Sequence, residues 1–244
     1  MLKTQLSKTI LFKSFTLLPV FFSPGQDRST NITFPKERVN LTTTFAPKVK
    51  MNKHEVLFAK NYIRKSSEDL VNIKQRSRLP FKIMDSVFSR YGLPVELKYL
   101  AVIESELKPS ALSAVGARGP WQLMPETAHQ LGLKVTRHYD ERTNFYKSTR
   151  AAALYLKDLY AQFDDWLLVL AAYNGGPGPV LSAIRKSGSR NFWVLQNYLP
   201  AETRLHVKRF IATHYYFEGQ GSITTLTKAE KIAYTKSINT LAIM

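Results

Sequence analysis

Apolar positions along this chain recur mainly at the three-to-four spacing of a helix, and strand-like alternation is scarce. Helices are predicted at about 53–75, 79–91, 94–105, 126–131, 148–163, 166–174, 177–187 and 200–218. In the fifth, Ala152, Tyr155, Leu156, Leu159 and Phe163 form one apolar stripe, with Ser148 as the expected N-cap. The sixth is apolar from Trp166 to Ala172, with Asp164-Asp165 as a capping signal before it and Gly175-Gly176 after it. The expected fold is mostly α, with a groove between helices.

The segment 94–105 carries candidate chemistry. Pro94 suits a first helical position, where its missing N–H needs no partner, and Pro109 limits the far end. Leu97, Leu100, Ala101 and Glu104 share one face. Glu104 therefore points where its apolar neighbours point, in a last turn where the helix dipole disfavours negative charge. Both effects act to keep the carboxyl protonated, the state a general acid needs. A structural carboxylate paired with a buried donor fits the pattern equally well. Glu96 lies in the first turn, where a carboxylate is welcome, and Glu106 at or beyond the fraying end.

After this acid comes a loop rich in glycine and polar residues. Gly116 and Gly119 flank a turn that calls for positive φ. Ser113 and Gln122 are its polar side chains, able to meet a ligand or to staple the loop. Met124 is either a groove wall or core filler. Tyr173 and Asn174 end the later apolar run. Tyr173 is a candidate to face Glu104 or a core tyrosine with a satisfied hydroxyl, and Asn174 suits a left-handed helix end.

The order Glu104-Ser105, Pro109, Ser113-x-x-Gly116-Ala117-x-Gly119-x-x-Gln122-x-Met124-Pro125-x-Thr127-Ala128 resembles the signature of the lytic transglycosylase domain. Ala171-Ala172-Tyr173-Asn174-Gly175-Gly176-Pro177-Gly178 stands where its second half is expected. Tyr198-Leu199-Pro200-x-Glu202-Thr203-Arg204 narrows the resemblance to the membrane-bound murein transglycosylase D type. The resemblance covers roughly residues 55 to 220 and implies a lysozyme-like helical fold. By it, Glu104 is the catalytic acid, and Ser113, Trp121, Gln122, Met124, Tyr173, Asn174, Tyr198 and Glu202 are substrate-binding. Loop aromatics such as Trp121, Phe192, Trp193 and Tyr198 would pack on the C–H faces of sugars; of these Trp121 and Tyr198 are the chosen candidates. Arg204-Leu-His206-Val-Lys208, Pro120 and Pro179 depart from the family pattern.

Most glycosidases use two carboxylates. No second acid stands on a comparable apolar face here: Asp164 and Asp165 read as a helix cap, and Asp140 and Glu141 sit in a polar loop that could still reach the groove. The resemblance implies a single-acid reaction on peptidoglycan. By that resemblance Glu104 would protonate the glycosidic oxygen between N-acetylmuramic acid and N-acetylglucosamine. It would then take the proton of the muramic C6 hydroxyl, closing a 1,6-anhydro ring without water. A hydrolase resembling goose-type lysozyme and a non-catalytic wall-binding protein are the alternatives. No metal or organic cofactor is implied; cysteine is absent and the five histidines lack HExxH-like spacing.

Charge alters the picture at the N-terminal side. The chain of 244 residues has a net charge of +17 and a pI near 10.0. Residues 1–90 carry 17 Lys/Arg against 6 Asp/Glu, while residues 91–220 carry 15 against 11. The basicity thus precedes the motifs and suits an anionic wall or membrane surface, or a solvated arm; nucleic acid is not the expected partner. Lys3, Lys8 and Lys13 ahead of Phe15–Phe22 give a candidate export signal at 1–25, although no cleavage site is evident. Residues 26–52 read as a polar basic linker, 53–220 as the catalytic domain and 221–244 as a mobile or loosely docked tail with no room for a LysM repeat. The expected location is the periplasm or cell envelope. Without cysteine no lipoprotein anchor is expected.

Overall fold

The computed structural model describes residues 47–243, so the candidate export segment and the linker up to residue 46 lie outside the described residues. The helices are α1 (Val56–Lys65), α2 (Ser67–Arg76), α3 (Arg78–Arg90), α4 (Tyr99–Ser105), α5 (Pro125–Gln130), α6 (Phe145–Phe163), α7 (Trp166–Gly175), α8 (Pro177–Ser187), α9 (Phe192–Leu195), α10 (Ala201–Glu218) and α11 (Lys228–Ile243). Pairing of extended backbone among the described residues is limited to isolated bridges: Leu112 with Arg118, Arg118 with Leu123, and Val135 with Asp140. No helix among the described residues is long and apolar enough to cross a membrane.

The core is organised around α7. Trp166 to Ala172 are all buried, so this helix is apolar all round because it is surrounded. It packs against α6, α8 and α10. Each of its buried leucines contributes about 1.5–3 kcal/mol relative to exposure. Asp165 caps it, its Oδ1 accepting from the Leu167 and Leu168 N–H groups. Asp164, expected to share that cap, instead ends α6 in a left-handed conformation.

Several boundaries differ from the sequence expectation. The pattern over 53–75 is two helices, divided at Ser66, a residue that competes with its own backbone and so breaks helices readily. The pattern over 94–105 is a 3-10 turn, Val95–Lys98, capped by Pro94, followed by the short α4. α6 starts at Phe145 and is capped by Asn144, whose side chain accepts from the Lys147 N–H. Ser148, the expected cap, is buried one turn further in, and its Oγ donates to the Asn144 carbonyl at 2.6 Å.

Residues 221–244, expected as a mobile or loosely docked tail, contain a 3-10 turn and α11. The first turn of α11 is pinned to the core. The Lys228 N–H donates to Asp165 Oδ2 at 2.6 Å, and Lys231 Nζ donates to the Tyr160 hydroxyl at 2.7 Å. Asp165 thus caps α7 with one oxygen and docks α11 with the other. The remainder of α11 is largely exposed and lacks an apolar stripe, which is why periodicity did not reveal it.

Candidate active site

α4 has 7 residues, too few to be stable alone. It is held against α10 at both ends. The Tyr99 hydroxyl donates to Glu218 at one end, and Glu104 Oε1 lies 2.8 Å from His206 Nε2 at the other. The two helices therefore run antiparallel in contact. Leu97, Leu100 and Ala101 are fully buried, as the shared face requires, and the Glu104 side chain is 6% exposed. Just past Glu104 the chain turns sharply: Glu106 and Leu107 have φ of 55° and 61°. Left-handed backbone at two consecutive non-glycine residues is strained. Arg76 offsets that strain by donating to the Glu106 carbonyl at 2.8 Å, and Lys108 pairs with the Glu106 carboxylate at 2.6 Å.

The loop after α4 is built from its own hydrogen bonds. Ser113 Oγ accepts from the Ala117 N–H at 2.9 Å, and Gln122 Nε2 donates to the Gly119 and Ala111 carbonyls. Both side chains therefore staple the loop. Ser105 Oγ donates to the Pro120 carbonyl at 2.9 Å and so ties the loop to α4 beside the acid. Arg142 is the buried hub beneath. Its Nη1 donates to the Gly116 and Leu123 carbonyls, while Nε and Nη2 grip Asp140. Gly116 and Gly119 have positive φ as expected. At Gly119 the need is also steric, because a Cβ would stand 1.9 Å from the Arg142 carbonyl oxygen.

Trp121 is corrected by the structure. It is fully buried, edge-on to Phe88 at 5.5 Å, and its Nε1 donates to Thr149 Oγ1 at 2.9 Å. No ring face is left for a sugar; the loop folds back over it and makes it core. Phe192 is likewise core. Met124 is half-buried at the start of α5, and Tyr198 is 51% exposed on a 3-10 turn. Asn174 is not left-handed, because α7 continues through Gly175. That glycine lets α7 approach α10 closely: a Cβ there would meet Thr203 Oγ1 at 2.6 Å.

This close approach brings Tyr173 into the electrostatic range of Glu104. Its hydroxyl donates to the Trp121 carbonyl at 2.7 Å. Burial first, then the charge of Glu104, then Tyr155, holds the phenol well above its usual range, so it stays a neutral donor. Glu202, in the first turn of α10, is raised by burial and by Glu104, against the opposing pull of His206 and Arg209. Glu202 is thus a second acid close enough to feel the first, which apolar patterning did not disclose.

The two carboxylates of the polar loop, Asp140 and Glu141, are committed elsewhere. Burial works against the charge of Asp140, yet the hydrogen bonds and charge of Arg142 and the charge of Arg118 hold it below the usual carboxylate range. Glu141 is lowered by the Lys134 N–H and by Lys147. Both brace the loop. No cluster of His, Cys, Asp and Glu among the described residues could hold a metal ion.

Sequence reasoning assigned no role to His206, Ser105 or Arg142, although Ser105 stood in the family-like signature and His206 in a stretch that departs from it. His206 also lies four residues after Glu202 on a predicted helix, and so on the same face.

Residues 86–196 match the family model of the transglycosylase SLT domain. The membrane-bound lytic murein transglycosylase D of Escherichia coli K12 is 42% identical over 126 residues, covering 50% of this chain and 27% of that protein. The chain thus spans about a quarter of the length of that curated relative. The crystal structure of the 70 kDa soluble lytic transglycosylase of Escherichia coli superposes with a TM-score of 0.51 at 28% identity, covering 59% of this chain and 26% of that one. A complex of the 70 kDa soluble lytic transglycosylase with bulgecin A covers 75% of this chain and 33% of that one, with a TM-score of 0.56 at 22% identity. The lysozyme-like helical fold is thereby shared.

Proposed function

We propose, from the transglycosylase SLT domain that residues 86–196 carry, that this protein is a peptidoglycan lytic transglycosylase of the cell envelope. It cleaves the β-1,4 bond between N-acetylmuramic acid and N-acetylglucosamine and leaves a 1,6-anhydro end. The observation that carries the reading is Glu104. Its side chain is nearly buried, it is hydrogen-bonded among the described residues at one oxygen only, and it is flanked by a phenol that remains neutral. The second oxygen of such a carboxyl is free to deliver and recover one proton.

Glu104 first protonates the glycosidic oxygen while the sugar's N-acetyl group stabilises the developing positive charge. The resulting carboxylate then takes the C6 hydroxyl proton as the ring closes. Ser113, Gln122, Met124, Tyr173, Asn174, Tyr198 and Glu202 form the surrounding substrate contacts. Ser113 and Gln122 act largely through the loop they staple, and Trp121 through its backbone carbonyl. The basic N-terminal region draws the protein to an anionic wall or membrane surface, and the first 25 residues direct export.

Glu202 favours a second reading specifically, because an acid within electrostatic reach of Glu104 could activate a water. Mass spectrometry of digested sacculi separates the two. Anhydro-muramic ends, lost in Glu104→Gln and retained in Glu202→Gln, support transglycosylation. Reducing muramic ends, lost in both variants, support a hydrolase. Wall affinity that is indifferent to salt would refute the electrostatic role of the N-terminal region.

A further inference from the structure

We propose that His206 is the positioning and proton-sharing partner of Glu104, fixing one carboxyl oxygen so that the other does the chemistry. The inference rests on the reading of Glu104 as the acid. His206 Nε2 stands 2.8 Å from Glu104 Oε1, and the two side chains are 7% and 6% exposed. A hydrogen bond in so dry a setting is directional and strong. It also fixes the carboxyl rotation, which α4 alone does not.

The pairing is built by the fold. α4 and α10 are clamped at their other end by Tyr99 and Glu218, so Glu104 and His206 meet without choice of register. Ser105, next in chain, holds the loop. His206 Nδ1 is buried and makes no hydrogen bond to a described residue. Among the described residues, none therefore competes with Glu104 for the imidazole.

Two consequences follow. The first is geometric: loss of the ring frees the carboxyl to rotate, which lowers turnover more than affinity. The second concerns protons. Two titratable groups that share a hydrogen bond lose their protons as a pair. The readout of such pairing is a pH profile whose shape depends on the ring, which a purely steric role of His206 would not change. The charged and titratable groups around it are Glu202 on α10, on which Arg209 also acts, and Tyr173 on α7, with Tyr155 of α6 behind. From α1, Glu55 addresses Lys208.

Two variants and a spectrum test the inference. His206→Phe is expected to lower kcat about 10- to 100-fold with KM within about twofold. His206→Gln, whose amide can still donate to Oε1, is expected to recover most of that loss. Its pH profile should nevertheless differ in shape from the parent's, because the amide cannot titrate. A His206→Gln profile that superimposes on the parent overturns the proton-sharing role. A KM effect without a kcat effect overturns the positioning role.

The spectrum needs no substrate and no change at His206. The His206 ring resonances, followed across pH, should trace different curves in the parent and in Glu104→Gln. Coincident curves overturn the coupling even if the reaction is confirmed. Absence of anhydro product with separated curves would instead refute the transglycosylase reading and leave the pair standing.

Discussion

Two buried carboxylates meet α10 two residues apart, and they are treated in opposite ways. Glu104, from α4, has a hydrogen bond from or to His206 at 2.8 Å. Glu55, just before α1, is fully buried with neither carboxyl oxygen hydrogen-bonded to a described residue, and its nearest cation is Lys208 Nζ at 4.0 Å. Burial pushes Glu55 up to about 8, with Lys208 opposing only in part. Desolvation by itself makes an acid neutral. A directional partner makes it oriented as well. Of the two, Glu104 has such a partner and Glu55 has none among the described residues, and orientation is what the proposed two-way proton transfer requires.

The largest expected effect breaks the comparison most directly. Glu104→Gln should reduce release of anhydro-muropeptides by about 10²- to 10⁴-fold, the contribution typical of a general acid. Its thermal midpoint should stay close to that of the parent, because the amide can still pair with His206. Glu55→Gln should leave turnover at the parental level. If the two outcomes were exchanged in a turbidity assay on purified sacculi, the acid would be Glu55 and the site would lie against α1.

Next in size is the loop that faces the acid. Gly119→Ala places a Cβ 1.9 Å from the Arg142 carbonyl oxygen at a φ of +82°, so backbone must move. A destabilisation of about 2–4 kcal/mol is expected from urea unfolding. Activity should fall along with stability, since Arg142 also holds the Gly116 and Leu123 carbonyls. An unchanged midpoint with full activity would show that the loop is looser than its hydrogen bonds require.

The side of this comparison that was legible in sequence is the side written within one helix. The spacing of Leu97, Leu100, Ala101 and Glu104 gave the face and the burial of the acid, because a helix carries its own period. His206 lies 102 residues away, and a single sequence holds no trace of which helices touch. Trp121 was misread for a related reason. A polar, glycine-rich stretch suggests an exposed loop, but Arg142 clamps this one from below and buries the indole. Glu202 hid in a helix whose buried face includes Thr203, His206, Thr213 and His214, so apolar periodicity understated its environment. α9, with 4 residues, is shorter than any period can reveal.

The smallest effect is also the sharpest test of what an unpartnered acid costs. In the unfolded chain Glu55 loses its proton near 4.5, whereas in the folded protein it keeps it until about 8. Between those values the folded state binds more protons than the unfolded state, so stability declines as pH rises through that window and levels off above it. Glu55→Gln carries no such proton. It should therefore match the parent below about pH 4.5 and become the more stable of the two as pH rises through that window, the gain being complete above about pH 8. Urea unfolding at three or four pH values measures this directly. A stability difference that does not vary with pH would mean that Glu55 is ionised throughout and held by Lys208, which would make it a second partnered acid and erase the contrast with Glu104.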